Sequence, residues 1–249
     1  MQDARRRVVV TGGGTGMGRA IAASFVRDGD DVVLVGRRAA VVRQAAAELD
    51  ERGPGRARAV PADCSSAADV ERLAEALGEA ALDVLVLAAG GIDRTVDRGR
   101  LAGLADAWRA DLDMNVLTAV LAVEALRDRL RRPGARIVLF SSIAALRGGG
   151  GSYSAAKAAL HGYAFDLAAD LGPDGITVNV IAPGFVDGTE FFGSTMSDER
   201  RARLVAGTLV GRGGEPDDIV AAVRYLSSPE AGYVTGQIVQ VNGGAYLGR

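Results

Sequence analysis

Short runs of β-branched and other apolar residues alternate along this chain with longer stretches whose apolar positions recur at helical spacing. The runs predict strands at about 7–11, 31–35, 57–62, 83–88, 136–141, 177–182 and 238–241. Between them, the helical spacing predicts helices at about 16–28, 39–52, 66–80, 104–131, 153–171 and 217–227. Val32-Val33-Leu34-Val35 and Asp83-Val84-Leu85-Val86-Leu87 read as near-continuous apolar runs, as expected of strands covered on both faces. Alternation of this kind, with right-handed crossovers, predicts an α/β fold: a doubly wound, mostly parallel seven-stranded sheet with helices on both faces.

The stretch from about 187 to 215 breaks the pattern. It carries Phe191, Phe192 and Met196 among Gly and Ser residues, which suggests a cover over an apolar pocket rather than another sheet unit. Gly148 to Gly151 suggests a flexible loop beside it. No Pro/Ser-rich linker divides the 249 residues, so residues 1–249 are expected to form a single domain.

Composition narrows the partners. With 48% hydrophobic and 24% charged residues and a formal net charge of −2, the chain lacks the basic footprint that nucleic acid or an acidic membrane surface requires. Its apolar runs fall far short of the ~20 residues of a membrane span. Met1 to Arg7 lead straight into a strand without the apolar core of a secretory signal, so a cytoplasmic location is expected. The lone Cys64 and the single histidine, His161, suggest neither a disulfide nor a metal site. A small molecule is the expected partner.

Thr11-Gly12-Gly13-Gly14-Thr15-Gly16-Met17-Gly18 follows the first strand and opens an amphipathic helix, the start of a Rossmann-like sheet. Glycines there let the backbone approach a pyrophosphate, which the helix N-terminus then holds. Met17 stands where a G-x-G-x-x-G run from Gly12 and Gly14 would end, so the pattern is Thr-Gly-x-x-x-Gly-x-Gly. At the end of the second strand, where an acid would hold ribose hydroxyls, stand Gly36, Arg37 and Arg38. Loss of the carboxylate and gain of a guanidinium favour a 2′-phosphate, hence NADP(H) with NAD(H) as the alternative.

Tyr153 and Lys157 lie at i and i+4, on one face of a helix. An adjacent cation is expected to lower a phenol by ~1–3 units from its ordinary pKa of ~10, into range for proton transfer. The chain holds 28 arginines and one lysine, Lys157, so this position resists replacement by a planar guanidinium.

Taken in order, the glycine turn, Asp63, Ala89-Gly90, Asn115, Ser141-Ser142, Tyr153/Lys157, Asn179 with Pro183-Gly184, and the run from Val234-Thr235-Gly236-Gln237 through Val241-Asn242-Gly243-Gly244 resemble the short-chain dehydrogenase/reductases. The resemblance spans nearly the whole chain. It implies catalysis by Asn115, Ser142, Tyr153 and Lys157: Tyr153 exchanges the proton, Lys157 lowers its pKa and binds the nicotinamide ribose, Ser142 holds the substrate oxygen, and Asn115 holds a water in the relay. It implies cofactor contacts from Gly12, Gly14, Thr15, Gly16, Met17, Gly18, Arg37, Arg38, Asp63, Cys64, Ala89, Gly90, Asn115, Tyr153, Lys157, Pro183, Gly184 and Val186. Asp63 would meet the adenine, and Asn179, Ile181 and Pro183-Gly184 would brace the nicotinamide end. A homotetramer is implied as well. Independently, Trp108, Leu112, Val116, Leu117, Val120, Leu121 and Val123 cover more than one face of the helix near 104–131 and point to a subunit interface, with helix 153–171 joining it.

Three departures bear on these roles. Leu87-Ala88-Ala89-Gly90 replaces the family's common Asn-Asn-Ala-Gly, so a side-chain hydrogen bond there is missing or replaced. The Ser142 to Tyr153 spacing is two residues short, which leaves Ser141 as a substitute for Ser142. Thr189 sits one residue late for its family role. The expected activity is reduction of a ketone with NADPH; an NAD-linked secondary-alcohol dehydrogenase and a non-catalytic dinucleotide sensor are the alternatives. Ile143, Leu146, Phe185, Phe191 and Phe192 specify an apolar, bulky substrate and no more.

Overall fold

The computed structural model describes residues 5–92, 99–191 and 196–248. Seven parallel strands, β1 (Arg7–Thr11), β2 (Asp31–Gly36), β3 (Arg56–Pro61), β4 (Val84–Leu87), β5 (Arg136–Phe140), β6 (Thr177–Pro183) and β7 (Ile238–Val241), form one sheet in the order β3-β2-β1-β4-β5-β6-β7. Because β-strand side chains alternate, β1 feeds two cores. Val9 joins Leu85, Ile137, Leu73, Leu126 and Leu160 on one face, while Val8 and Val10 join Ile21, Phe25, Val86, Ile219 and Val223 on the other. Fully burying each such side chain contributes roughly 1.5–3 kcal/mol.

The helices are α1 (Gly16–Arg27), α2 (Ala39–Asp50), α3 (Ala67–Leu77), α4 (Leu101–Leu112), α5 (Thr118–Leu126), α6 (Ile143–Arg147), α7 (Ser152–Leu171), α8 (Asp198–Ala206) and α9 (Pro216–Leu226). Strand order reverses between β1 and β4, where the crossovers leave in opposite directions and a crevice opens at the carboxyl ends.

Three elements differ from expectation. The helix foreseen over 104–131 is broken: α4 passes through a π-helical turn, Asp113–Leu117, into α5, which ends in a 3-10 turn at Arg127–Arg129. The Thr118 N–H reaches back to the Asp113 carbonyl, and the wider turn shifts no apolar residue far enough to disturb the spacing that predicted one helix. The short helix α6 was not foreseen. Ser142 starts it, its Oγ accepting from the Ala144 N–H at 3.1 Å. The stretch 187–215 is not all cover, since it holds α8, an Arg-rich helix capped by Ser197 Oγ at 3.1 Å from the Arg200 N–H. Among the described residues no helix is long and apolar enough to cross a membrane.

Candidate active site

The carboxyl ends of β1 to β4 border a cleft of about 830 Å³. Its floor is the glycine turn, and two of its glycines are forced by close approach. Gly12 has φ of +69° and a Cβ there would lie 2.9 Å from the Ala88 carbonyl oxygen; at Gly18 a Cβ would lie 2.3 Å from the Gly12 oxygen. Gly18 therefore does the packing that the common fingerprint assigns one residue earlier, which is why Met17 is tolerated. Thr15 precedes α1 without a side-chain cap, and the first turn holds no acid. Uncapped N–H groups and the positive end of the helix dipole fit the diphosphate of a dinucleotide.

Gly12, Gly14, Thr15, Gly16, Met17, Gly18, Arg37, Arg38, Asp63, Cys64, Ala89 and Gly90 all line this cleft. Arg37 is exposed and has no ion pair among the described residues. Arg38 donates to Glu190 at 2.8 Å and to Thr15 Oγ1 at 3.4 Å. The Asp63 carboxylate accepts from the Ser65 hydroxyl at 2.7 Å and its N–H at 3.0 Å. Cys64 is buried, and burial pushes its thiol up to about 12, leaving it unreactive. Thr11 replaces the side-chain bond missing from Leu87-Ala88-Ala89-Gly90: its Oγ1 accepts from the Ala89 N–H at 3.1 Å and ties β1 to the end of β4. Thr189 lies against the turn, its Cβ 3.7 Å from where a Gly16 Cβ would stand, and its hydroxyl donates to the Val186 carbonyl at 3.2 Å.

Asn115, in the π turn, is buried and committed to backbone. Its Nδ2 donates to the Gly91 and Asp111 carbonyls, both at 2.8 Å, and its Oδ1 accepts from the Gly91 N–H at 3.0 Å. It clamps the chain leaving β4, where a relay water had been expected to engage it. The site is tight: a Cβ on Gly90 would lie 2.7 Å from Asn115 Oδ1 and 2.8 Å from Lys157 Nζ.

Lys157 is buried and donates to the Phe140 carbonyl at 2.8 Å, with its ammonium 5.9 Å from the centre of the Tyr153 ring. Desolvation lowers its pKa to about 8. Tyr153 is also buried, its hydroxyl paired with the Ser142 side chain and its ring 5.6 Å from Phe191. Its pKa is raised to about 12, chiefly by burial and further by Asp111, against the pull of Ser142. The expected depression by Lys157 is not what this environment produces. Both groups are stripped of water, and the cation spends its hydrogen bond on Phe140. Ser141 cannot substitute for Ser142, because its hydroxyl donates to the Lys157 carbonyl at 2.9 Å and sits 2.7 Å from His161 Nε2.

Other expected contacts fall elsewhere. Both ends of the Asn179 amide bind the β6–β7 connection, Nδ2 to the Val234 carbonyl at 2.7 Å and Oδ1 to the Gln237 N–H at 3.0 Å, so it braces backbone, not the nicotinamide end. Pro183 closes β6, Gly184 packs on Asn242, and the Val186 side chain is in the core; none of the three lines the cleft. Phe192 lies outside the described residues. Sequence reasoning missed Asp111, a fully buried carboxylate that accepts from the buried Ser152 hydroxyl at 2.5 Å, immediately before Tyr153. The available signal was an acid on the inner face of a helix, one turn before Asn115.

Known proteins are similar to this chain in sequence and fold. The family described as "Enoyl-(Acyl carrier protein) reductase" matches residues 12–246. The chain is 39% identical to the short-chain reductase protein NovJ of Streptomyces niveus, over 95% of this chain and 92% of that protein. It is 33% identical to the 3-oxoacyl-[acyl-carrier-protein] reductase FabG of Escherichia coli, over 96% of each. The Pseudomonas aeruginosa RhlG/NADP complex superimposes with a TM-score of 0.85 at 32% identity, covering 98% of both chains. A Brucella melitensis 3-oxoacyl-[acyl-carrier protein] reductase with bound NAD gives 0.88 at 30% identity, over 99% of this chain and 93% of that one. A glycine turn at the β1/β4 crevice, a Tyr/Lys pair beside it and full-length identities above 30% together place the chain in the short-chain dehydrogenase/reductase family, as an NAD(P)-dependent oxidoreductase.

Proposed function

We propose that the protein reduces a ketone to a secondary alcohol with NADPH. The observation that carries this reading is the convergence of Ser142, Tyr153, Lys157 and the Asn115-clamped Gly91 backbone at one end of the dinucleotide cleft. When bound, the reduced nicotinamide supplies the hydride. Ser142 and Tyr153 offer hydroxyl hydrogens to the ketone oxygen, and Tyr153 gives up its proton as the alkoxide forms. A phenol kept neutral by burial is a proton donor at every working pH, which suits reduction. Lys157 offers its ammonium to a ribose hydroxyl, and Asn115 fixes the backbone at Gly90-Gly91.

Arg37, exposed at the cleft and without an acid partner among the described residues, with Gly36 beside it, favours the 2′-phosphate of NADPH. RhlG, a neighbour in fold, is complexed with NADP, whereas the Brucella protein binds NAD, so NAD(H) is the alternative cofactor. Self-association as a homotetramer completes the proposal. Leu101, Leu104, Trp108 and Leu112 make an exposed stripe along α4, with Phe165 exposed on the neighbouring α7. Tyr225, Tyr233 and Leu247 are exposed near the β7 edge, and a closed tetramer needs two such faces.

A panel of ketones, cyclic and aromatic ones included, assayed with NADPH and with NADH tests the activity. Tyr153→Phe should bind NADPH, by fluorescence titration, while its turnover falls by ~10²-fold or more. Retention of more than about a tenth of the wild-type rate would remove Tyr153 from the acid/base role.

A further inference from the structure

A second cavity, of about 290 Å³, shares no lining residue with the dinucleotide cleft. Ile143, next after Ser142, and Phe185, next after Pro183-Gly184, form its wall, so it opens on the same carboxyl rim as the catalytic tyrosine. Leu204 adds apolar surface. Arg147, Arg200 and Arg203 also line it, and no carboxylate does.

Many other surface arginines are matched by a carboxylate. Arg201, between two of the lining residues, is paired with Asp187; Arg212 is paired with Asp218, Arg224 with Asp28 and Arg132 with Asp174. Arg147 and Arg203 have no ion pair among the described residues. Arg200 and Arg203 are three apart on α8 and therefore share a face, with Leu204 beside them. Off that face, the Arg201–Asp187 pair ties α8 to the chain that follows β6. Arg147 and Arg203, two guanidinium groups without an ion pair among the described residues, border one apolar-walled concavity and repel one another unless an anion joins them, and their planar forks match carboxylate and phosphate oxygens.

We propose that this cavity holds an anionic group, a carboxylate or a phosphate, carried by the substrate at the end remote from its ketone. Ile143 and Phe185 enclose the apolar body, and the guanidinium groups of Arg147 and Arg203 receive the charged end. The substrate is thus an amphiphilic keto anion rather than a plain hydrocarbon ketone. This assignment rests on the ketone-reductase reading and narrows its substrate class.

The test uses aryl ketones with linkers of increasing length that end in a carboxylate, a phosphate monoester or, as the neutral control, a methyl ester. For the best linker, the wild-type kcat/KM for an anionic ketone should exceed that for the ester by about tenfold or more, mostly through KM, and the preference should shrink as salt is added. A phosphate optimum supports a phosphorylated tail as the source, and a carboxylate optimum supports a free keto acid. Arg203→Met and Arg147→Met together should bring the ratio of anionic to neutral kcat/KM toward one, with Arg203→Lys restoring part of it. Equal rates for ester and anions, or a ratio unmoved by the arginine substitutions, would overturn the anion site while leaving the ketone-reductase reading intact. If no ketone of any charge is reduced, it is the ketone-reductase reading that fails, and the anion assignment falls with it.

Discussion

Two charged groups flank the proposed acid/base from different elements: Lys157 from its own helix, and Asp111 from α4 through Ser152. Asp111 raises the Tyr153 pKa, so removing its charge lowers it. Asp111→Asn keeps the shape and an acceptor for Ser152. In alcohol oxidation, where the phenolate must take the proton, this substitution should move the rising limb of the pH–rate profile down by about one unit. A limb that stays in place would show that Asp111 has no part in setting Tyr153. At the other end of the cleft, Arg37→Asp should raise KM for NADPH at least ~10-fold while changing KM for NADH little, since it replaces a charge-assisted partner by a like charge. Equal effects on both cofactors would dismiss Arg37 as the phosphate ligand. Residue spacing alone exposed Tyr153 and Lys157, because i and i+4 fix a shared helix face. It could not reveal that Lys157 donates to Phe140, that Ser141 points to His161 or that Asn179 serves a loop. Those are long-range pairings, and no local pattern encodes them.

At the scale of elements, strands announced themselves as short, largely apolar or β-branched runs, and all seven lie within about two residues of their predicted ends. Helices were readable where one face is apolar. They were not readable where the signal is polar, as in α8, or only one turn long, as in α6. The π turn escaped for a different reason: a local change from i+4 to i+5 bonding leaves composition untouched, yet it positions Asn115 to clamp Gly91. The α4 face explains why that helix looked apolar on more than one side. Trp108 and Leu112 are partly exposed in the isolated chain, as is Phe165 on α7. Trp108→Asp combined with Phe165→Asp should therefore halve the mass measured by light scattering, giving a dimer joined through the untouched face near β7. An unchanged mass would place the contact elsewhere.

For the molecule as a whole, topology followed from alternation and crossover handedness, and it determines where chemistry sits: the β1/β4 reversal opens the cleft into which the glycine turn faces. Stability and function then pull against each other at one residue. Lys157 is sequestered among apolar and backbone groups, and its pKa falls from 10.5 to about 8. Between those values the unfolded chain holds a proton that the folded chain has released, so the contribution of Lys157 to stability rises with pH across that window and is lowest below about pH 8. The shift corresponds to roughly 3 kcal/mol. Tyr153 acts oppositely and later, its contribution falling as pH climbs from 10 toward about 12. Lys157→Met removes the buried cation and leaves the Phe140 carbonyl without this donor, a loss of roughly 1–3 kcal/mol that offsets much of the gain. The variant should be catalytically dead, and its stability in urea relative to the wild type should fall steadily as pH is raised from about 8 to 10. A difference independent of pH would mean that Lys157 is not a buried charge in the folded protein. The lone lysine among 28 arginines would then need an explanation other than a functional cation kept at a cost in stability.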